Sequence, residues 1–135
     1  MNTQAIIDTI TGYYPSTQAI YLFGSCTGNS SRPDSDIDLA LLLPFTLSPQ
    51  VTDLAISPCR SALELLVKRD VDLVNARLVS TVFQKEIISG ARIYCADTNG
   101  TDEFEMLTIS FYQKLNDERS AILLEFFKSK RAYAV

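Results

Sequence analysis

The chain has 135 residues, of which 47% are hydrophobic and 21% are charged, a composition that predicts one folded domain rather than a disordered chain. The formal net charge of −4 argues against a broad nucleic-acid-binding surface, although a small nucleotide neutralised by a cation remains compatible with it. Histidine is absent, which excludes catalytic triads and zinc sites that depend on this residue.

The sequence predicts no membrane segment, because no apolar run approaches the roughly 20 residues needed to span a bilayer. The N-terminus, Met1 to Gln4, lacks the basic region of a signal peptide. The three cysteines are odd in number and form no CxxC pair. They indicate free thiols in a reducing compartment, and we therefore expect a cytoplasmic protein.

The first third of the chain predicts a helix followed by two strands. Apolar residues recur at helical spacing over residues 3–13, with Thr3 as the expected N-cap. The continuous apolar run from Ala19 to Phe23 predicts a buried strand. A loop rich in Gly, Ser, Asn and Asp follows, and a second strand is expected from Ile37 to Leu43.

The middle of the chain predicts alternating helices and strands. We expect a helix from Ser48 to residue 56 and, after a kink or restart at Ser57-Pro58, a helix over residues 58–69. A third strand is predicted from Val71 to Val74. A helix over residues 79–89 would stop at Gly90, and a fourth strand would run from Ala91 to Cys95.

A long helix is predicted over residues 102–130, where apolar residues recur mostly at three- and four-residue steps. Its length of roughly 40 Å exceeds what a small domain covers, so this helix is a possible partner-binding element. We expect a single domain over residues 1–135, with a catalytic core over residues 1–97. The expected fold is α/β (α+β), a small mixed sheet of about four strands flanked by helices.

Carboxylates at the starts of two strands predict a metal site. Asp36 and Asp38 lie two residues apart on the second strand and therefore share one face of the sheet. Asp72 begins the third strand with a similar pattern, so three carboxylates would converge if these strands are neighbours. Magnesium prefers oxygen ligands and often binds one or two carboxylates together with substrate phosphates.

Gly24 and Ser25 follow the first strand and predict a phosphate-binding turn. Gly24 lets the backbone approach a phosphate closely. Ser25 offers a hydroxyl and a backbone N–H at an expected helix start, where an anion is favoured. A phosphate site next to a metal site suits phosphoryl transfer, in which a further carboxylate accepts the proton of the attacking group.

Other nucleotide and metal motifs do not fit. Asp34, Asp36 and Asp38 match the first ligands of an EF-hand loop, but that loop would need glycine at Leu39 and glutamate at Phe45. Neither a Walker A sequence nor GxGxxG is present.

Gly24-Ser25, ten intervening residues, Asp36-Ile37-Asp38 and then Asp72 together resemble the nucleotidyltransferase superfamily typified by DNA polymerase beta. The short length and the segments Ser35 to Leu39, Asp70 to Val74 and Gly90 to Tyr94 resemble its minimal nucleotidyltransferases, the MNT proteins. The resemblance covers about residues 3–95. It implies that Gly24 and Ser25 hold the triphosphate of ATP, that Asp36 and Asp38 bind two Mg²⁺ ions, and that Asp72 completes the metal site or acts as base.

The resemblance also implies a partner. MNT proteins are commonly antitoxins of HEPN-domain toxins, small helical RNases, and can transfer AMP from ATP to a tyrosine beside the RNase site. We expect this activity, with no direct nucleic-acid partner. Two alternatives remain: a non-catalytic antitoxin that masks the toxin active site, and a small-molecule nucleotidyltransferase of the aminoglycoside type. Many relatives continue Gly-Ser with Ala-Arg-Gly, whereas this chain has Cys26-Thr27-Gly28, and Arg32 is a possible substitute for the missing basic residue.

Overall fold

A mixed four-stranded sheet organises the part of the chain that the structure describes. This computed structural model describes residues 2–24 and 36–133, excluding the side chains of Ala55 and of residues 126–133. The strands are β1 (Ala19–Phe23), β2 (Ile37–Leu42), β3 (Val71–Asn75) and β4 (Ala91–Cys95), in the order β3-β2-β1-β4. Strand β1 is antiparallel to β2 and β4, whereas β2 and β3 are parallel. The predicted fold class is confirmed.

One face of the sheet packs against two helices, α1 (Thr3–Tyr13) and α2 (Pro58–Val67). Alternate residues of β2 and β3, among them Leu39 and Leu73, point to this face and join Ile10 of α1 and Leu63 of α2 in a fully buried cluster. Strand β2 reaches its parallel neighbour through α2, and Ser57 caps that helix by accepting a hydrogen bond from the backbone N–H of Arg60. The predicted restart at Ser57-Pro58 is therefore confirmed.

The other face packs against α3 (Thr81–Ile88) and the first part of α4 (Thr98–Tyr133). Tyr21 and Phe23 of β1 lie in this second cluster with Ile87 of α3 and Phe104 of α4. Strand β2 contributes Ala40 and Leu42 to the same cluster, and both are buried. Because side chains alternate along a strand, Asp38 projects toward the α3 and α4 side.

The predicted helix from Ser48 to residue 56 is wrong. The structure has two short 3₁₀ turns instead, Ser48–Gln50 and Leu54–Ile56. The Asn75 side-chain amide donates hydrogen bonds to the backbone carbonyls of Ser48, at 3.2 Å, and Val51, at 3.0 Å. An α-helix would direct these carbonyls to amides four residues later, so Asn75 favours the interrupted conformation.

Two helices also begin at residues other than those predicted. Asn2 caps α1, accepting a hydrogen bond from the Ala5 N–H, so Thr3 is the first helical residue and not the cap. Helix α4 begins at Thr98 instead of residue 102 because the Asp97 carboxylate accepts a hydrogen bond from the Gly100 N–H. The Asn99-Gly100 pair, which suggests a loop, thus lies within the first turn of a helix.

Only the first part of α4 is attached to the sheet. Tyr21 donates a hydrogen bond of 2.9 Å to Glu105, and Arg92 of β4 forms salt bridges with Glu105 and Asp102. Beyond Leu115 the described side chains of α4, as far as Glu125, are exposed. At about 1.5 Å per residue, a helix of 36 residues extends roughly 54 Å and projects past the domain. None of the helices in the described ranges combines the length and apolar character needed to cross a bilayer.

Candidate active site

Parallel pairing of β2 and β3 places two of the predicted carboxylates next to each other. Asp38 is the register partner of Asp72 on the neighbouring strand, and the Asp72 carboxyl group is close enough to raise the pKa of Asp38. Asp72 is exposed, whereas Asp38 is partly buried. The hydrophobic alternation that buries Leu39 and Leu73 on the opposite face therefore also directs both carboxyl groups to the same edge of the domain.

Gly24 lies against this carboxylate pair. Its neighbour Phe23 is the register partner of Asp38 across β1 and β2. Gly24 has a φ of +77°, and a Cβ atom at this position would lie 2.1 Å from Oδ2 of Asp38. Both the left-handed backbone and the close approach require glycine. The sequence predicts that the turn faces the carboxylates, and in the structure Gly24 lies against Asp38.

The electrostatics of Asp38 indicate an excess of negative charge. Burial, as the largest cause, and the neighbouring carboxyl group of Asp72 together raise the pKa of the Asp38 carboxyl group to about 6. The charges of Asp36 and Glu86 act in the same direction. Carboxylates that raise each other's pKa are stabilised by a cation between them.

Glu86 of α3 is a neighbour of the site that the sequence does not predict. Helix α3 approaches the end of β1 through Phe83, whose ring packs edge-on against Phe23 at 5.6 Å. The turn after α3 is equally close, since a Cβ atom at Gly90 would lie 2.5 Å from the backbone oxygen of Leu22. The influence of Glu86 on Asp38 thus depends on tertiary packing, for which the sequence carries no local signal.

Of the remaining predicted site residues, the structure describes Asp36. Asp36 is exposed and immediately precedes β2, and its role stays a prediction. Within residues 2–24 and 36–133, no three Asp, Glu or Cys side chains are arranged as a ready metal-binding group. Ser25 and Arg32 lie outside the described residues, as does the Cys26-Thr27-Gly28 segment.

The donor set that is present fits a hard divalent cation. Asp38 and Asp72 offer only carboxylate oxygens, the ligands that such a cation prefers, and every effect named on the pKa of Asp38, burial first, disfavours its charged form. The Asp38 carboxylate lies directly against Gly24, in the position that a Cβ atom would take. Asp38 and Asp72 would hold the metal ion, which would supply charge neutralisation to the site.

Comparisons with known proteins find a family profile and a relative of similar sequence. The profile of the polymerase beta nucleotidyltransferase family matches residues 4–99. Over 134 residues the chain is 32% identical to the protein adenylyltransferase MntA of Shewanella oneidensis. The aligned region covers 99% of this chain and 94% of that protein.

Solved structures extend the similarity to toxin–antitoxin complexes. A crystal structure of a toxin–antitoxin with AMP-PNP contains a chain of 32% identity, with a TM-score of 0.78 over 94% of this chain and 99% of that one. A tri-AMPylated Shewanella oneidensis HEPN toxin in complex with an MNT antitoxin contains a chain of 31% identity, with a TM-score of 0.64 over 93% and 96% of the two chains.

Proposed function

Because this chain belongs to the polymerase beta nucleotidyltransferase family, we propose that it is an antitoxin that transfers AMP from ATP to a tyrosine hydroxyl of a cognate HEPN RNase toxin, and so neutralises it. The observation that carries the proposal is the pairing of Asp38 with Asp72 in the parallel register of β2 and β3, beside Gly24. The similarity to MntA and to toxin–antitoxin complexes supports the choice of acceptor. The location that this function requires is the cytoplasm, where ATP is available.

The carboxylates hold the metal and handle a proton. Asp36, Asp38 and Asp72 are the proposed ligands of Mg²⁺, with two ions when ATP is bound. Bound Mg²⁺ neutralises phosphate charge and favours the departure of pyrophosphate. Asp72 is exposed at the edge of the site, where it can reach a group brought by a large acceptor, and we assign it also the role of base.

The proposed reaction balances with the groups present. The acceptor hydroxyl oxygen forms a bond to the α-phosphorus of ATP, while the bond from that phosphorus to the pyrophosphate oxygen breaks. The hydroxyl proton passes to the Asp72 carboxylate. Gly24 brings the backbone close to the triphosphate, and Ser25 is assigned the role of donating to its oxygens.

Two other functions use parts of the same molecule. The exposed apolar residues on the projecting part of α4, including Ile122 and Leu123, favour an antitoxin that neutralises by binding alone. A small-molecule nucleotidyltransferase of the aminoglycoside type would use the same carboxylates. It would consume ATP without a protein acceptor, whereas the proposed enzyme requires the toxin.

The deciding experiment is intact-mass spectrometry of the cognate HEPN toxin after incubation with this protein, ATP and Mg²⁺. The wild type is expected to add whole AMP units to the toxin. Asp38→Asn and Asp72→Asn are each expected to reduce the rate by at least about 1,000-fold, since each removes an anionic oxygen from the reacting site. Asp53→Asn is the matched control, because Asp53 is exposed and its side chain makes no capping hydrogen bond.

The outcomes separate the three functions. Undiminished transfer by Asp38→Asn and Asp72→Asn would contradict the assigned site. A stable complex without any mass change would favour the binding antitoxin, and Asp38→Asn would then neutralise as well as the wild type. ATP consumption driven by an aminoglycoside in the absence of toxin would favour the third function. Omission of Mg²⁺ should abolish transfer by the wild type.

A further inference from the structure

A second concave site lies at the opposite end of the sheet from the carboxylates, and we call it the distal pocket. This cavity of about 380 Å³ is bounded by residues that precede β1 or follow β2 and β3, together with α3 and α4. Gln18, which lines it, and Gly24 flank opposite ends of β1, which separates the two sites by roughly 20 Å. The volume is at the lower end of the range for ligand sites and suits a molecule about the size of a nucleoside.

Hydrogen bonds between distant segments hold the polar floor of the distal pocket in shape. Arg77 donates to the Leu43 carbonyl group and, at 2.7 Å, to the Gln18 side chain. Gln18 in turn donates to the Asp97 carboxylate at 2.9 Å, and Asp97 caps α4. A guanidinium group has more N–H donors than these two contacts use. The floor is therefore formed before a ligand arrives, and it still offers N–H groups to an acceptor.

A buried hydroxyl group in the wall of the pocket lacks a partner within the protein. Thr108 of α4 lines the pocket and is 2% exposed. Threonine in a helix commonly donates to a carbonyl group one turn earlier, as Thr9 of α1 does at 2.8 Å. No hydrogen bond joins the Thr108 hydroxyl group to any other residue that the structure describes. A ligand in the pocket would supply the missing partner.

Two further side chains of the wall present oxygen atoms to a ligand. The Gln84 amide nitrogen donates to the Ala76 carbonyl group at 2.9 Å, which leaves the amide oxygen as an acceptor. Burial lowers the pKa of the Arg77 guanidinium, and the nearby charge of Glu103 opposes this effect. The ion pairs within 4.0 Å among the described residues involve other side chains, so the Glu103 carboxylate can accept hydrogen bonds from a ligand.

Aromatic rings give the pocket flat apolar surfaces. Phe45 is 68% exposed and Phe111 is 56% exposed, although both line the cavity. The Arg77 guanidinium lies 3.9 Å from the centroid of the Phe45 ring. A planar ligand stacks favourably on phenylalanine rings and on a guanidinium plane. These surfaces therefore favour an aromatic ligand over an aliphatic one.

The charged groups of the lining restrict the ligand further. Arg77 supplies one positive charge, whereas Asp97 and Glu103 supply two negative charges, so the lining has a net charge of −1. The carboxylates disfavour an anion, and the guanidinium disfavours a cation. A neutral ring can satisfy both kinds of group if one edge accepts hydrogen bonds and another donates them. Guanine has this arrangement, since O6 and N7 accept from arginine while N1–H and the amino group donate.

We propose that the distal pocket binds the guanine ring of a nucleoside or free base. The ring stacks on Phe45 and Phe111, and its O6 and N7 atoms accept from Arg77. The N1–H and amino groups donate to Glu103 and to the Gln84 amide oxygen. The Thr108 hydroxyl group bonds to the remaining polar atoms of the ligand. This site is separate from the carboxylate end, where the proposed transfer of AMP takes place.

The test is a titration of isotope-labelled protein with guanosine, followed by heteronuclear NMR without Mg²⁺, ATP or toxin. Guanosine should shift the signals of the Gly100 backbone and the Gln84 side-chain amide, whereas the Gly24 signal should not move. Adenosine, which lacks O6 and N1–H, should bind at least about tenfold more weakly. GMP should also bind more weakly than guanosine, because its phosphate adds negative charge beside the Glu103 carboxylate.

Two variants separate ligand binding from folding. Glu103→Gln keeps the size of the side chain but removes the anionic acceptor, and should weaken guanosine binding by at least about tenfold. Thr108→Val keeps the shape but removes the hydroxyl group, and should weaken binding by about threefold. Thr108→Val should not lower the free energy of unfolding, because the hydroxyl group has no partner in the free protein. A hydroxyl group that stabilises the fold would give the opposite result in denaturant unfolding.

Glu118→Gln is the matched control for Glu103→Gln. Glu118 is exposed on the same helix and does not line the pocket. At about 1.5 Å per residue it lies roughly 22 Å farther along α4, well beyond the screening length of about 8 Å at physiological salt. Guanosine binding by this variant should stay within about twofold of the wild type.

Several outcomes would overturn the inference. Shifts centred on Gly24, with binding lost in Asp38→Asn and retained in Glu103→Gln, would place guanosine at the carboxylate end. Equal affinity for guanosine and adenosine, tighter binding of GMP, or no shift at all would contradict the assigned chemistry. Because the titration contains neither toxin nor ATP, its result is independent of whether this protein transfers AMP.

Discussion

The two ends of the sheet differ in how their charged side chains are paired. At the carboxylate end, Asp38 and Asp72 place two acids together, and the pKa of Asp38 is raised to about 6. At the opposite end, Arg77 is partly buried but hydrogen-bonded through Gln18 to Asp97. Among the described residues, every effect named on the pKa of Asp38 favours its neutral form, whereas Arg77 is hydrogen-bonded and lies beside the exposed ring of Phe45. The contrast is consistent with the proposed cation and phosphate site at the first end.

The largest effect on the carboxylate end, apart from loss of a carboxylate, should come from Gly24→Ala. The new Cβ atom would lie 2.1 Å from Asp38 Oδ2, at a backbone φ of +77°. We expect the rate of AMP transfer to fall by at least about 100-fold, because the clash would displace the Asp38 carboxylate from the reacting site. Steady-state transfer rates measure the effect.

Gly12→Ala provides the control for this prediction. A Cβ atom at Gly12 would meet no other atom within 4 Å, and Gly12 lies inside α1. Alanine there should leave transfer unchanged and raise the free energy of unfolding by about 0.5–1 kcal/mol. A Gly24→Ala enzyme with wild-type activity would show that close approach of the turn to Asp38 is not needed.

At the distal end, Arg77→Met should mainly affect stability. The change removes the hydrogen bonds to Leu43 and Gln18 and the contact with Phe45. We expect the free energy of unfolding to fall by about 2 kcal/mol, since the Leu43 carbonyl and Gln18 lose a charged donor. Denaturant unfolding would measure it.

The same variant tests whether the two ends of the sheet act independently. Because Arg77 is far from the carboxylates, kcat for AMP transfer at saturating toxin should stay within about twofold of the wild type. A large loss of kcat with little loss of stability would show that the two ends are coupled.

The smallest expected effect is a pH dependence of stability in the metal-free protein. The folded-state pKa of Asp38, about 6, lies above the value of about 3.9 expected in the unfolded chain. The folded state therefore binds more protons between these values, and stability falls as pH rises from about 4 to 6. After allowance for solvent screening, the loss is about 1 kcal/mol.

Asp38→Asn should remove this pH dependence and stabilise the metal-free domain near pH 7 by a similar amount, because the like-charge contact with Asp72 disappears. Chemical unfolding between pH 4 and 7 tests both points. An unchanged slope in Asp38→Asn would assign the dependence to other groups.

Much of the carboxylate end could be predicted from the sequence because its signals are local. The apolar run of β1 gives its bounds, and the apolar run after Asp38 places this acid at the start of β2. The common face of Asp36 and Asp38 stays a prediction. The register that pairs Asp38 with Asp72 could not be derived, because it depends on how α2, which connects the two parallel strands, packs against one face of the sheet. The effect of Glu86 also arises only after α3 docks beside Phe23.

The distal end could not be predicted because its parts are far apart in the chain. Arg77 depends on Gln18 and Phe45, which come from different connections of the sheet. Asn75 interrupts the expected helix after Ser48 through side-chain hydrogen bonds that no local pattern indicates. Similarly, Asp97 caps α4, so that the helix begins at Thr98. The Asn99-Gly100 pair in its first turn is typical of a turn and gives no local signal for a helix.

The parallel register of β2 and β3 has a consequence for insertions and deletions. A slip of one residue would direct Asp72 toward the buried cluster around Leu63 and bring Val71 or Leu73 to the solvent edge. The burial that stabilises the domain therefore also enforces the alignment of the two acids. An insertion or deletion between α2 and β3 should therefore have one of two results. Either the connection changes its length while the register stays the same, or the domain unfolds. We do not expect a folded protein in which Asp38 and Asp72 are misaligned.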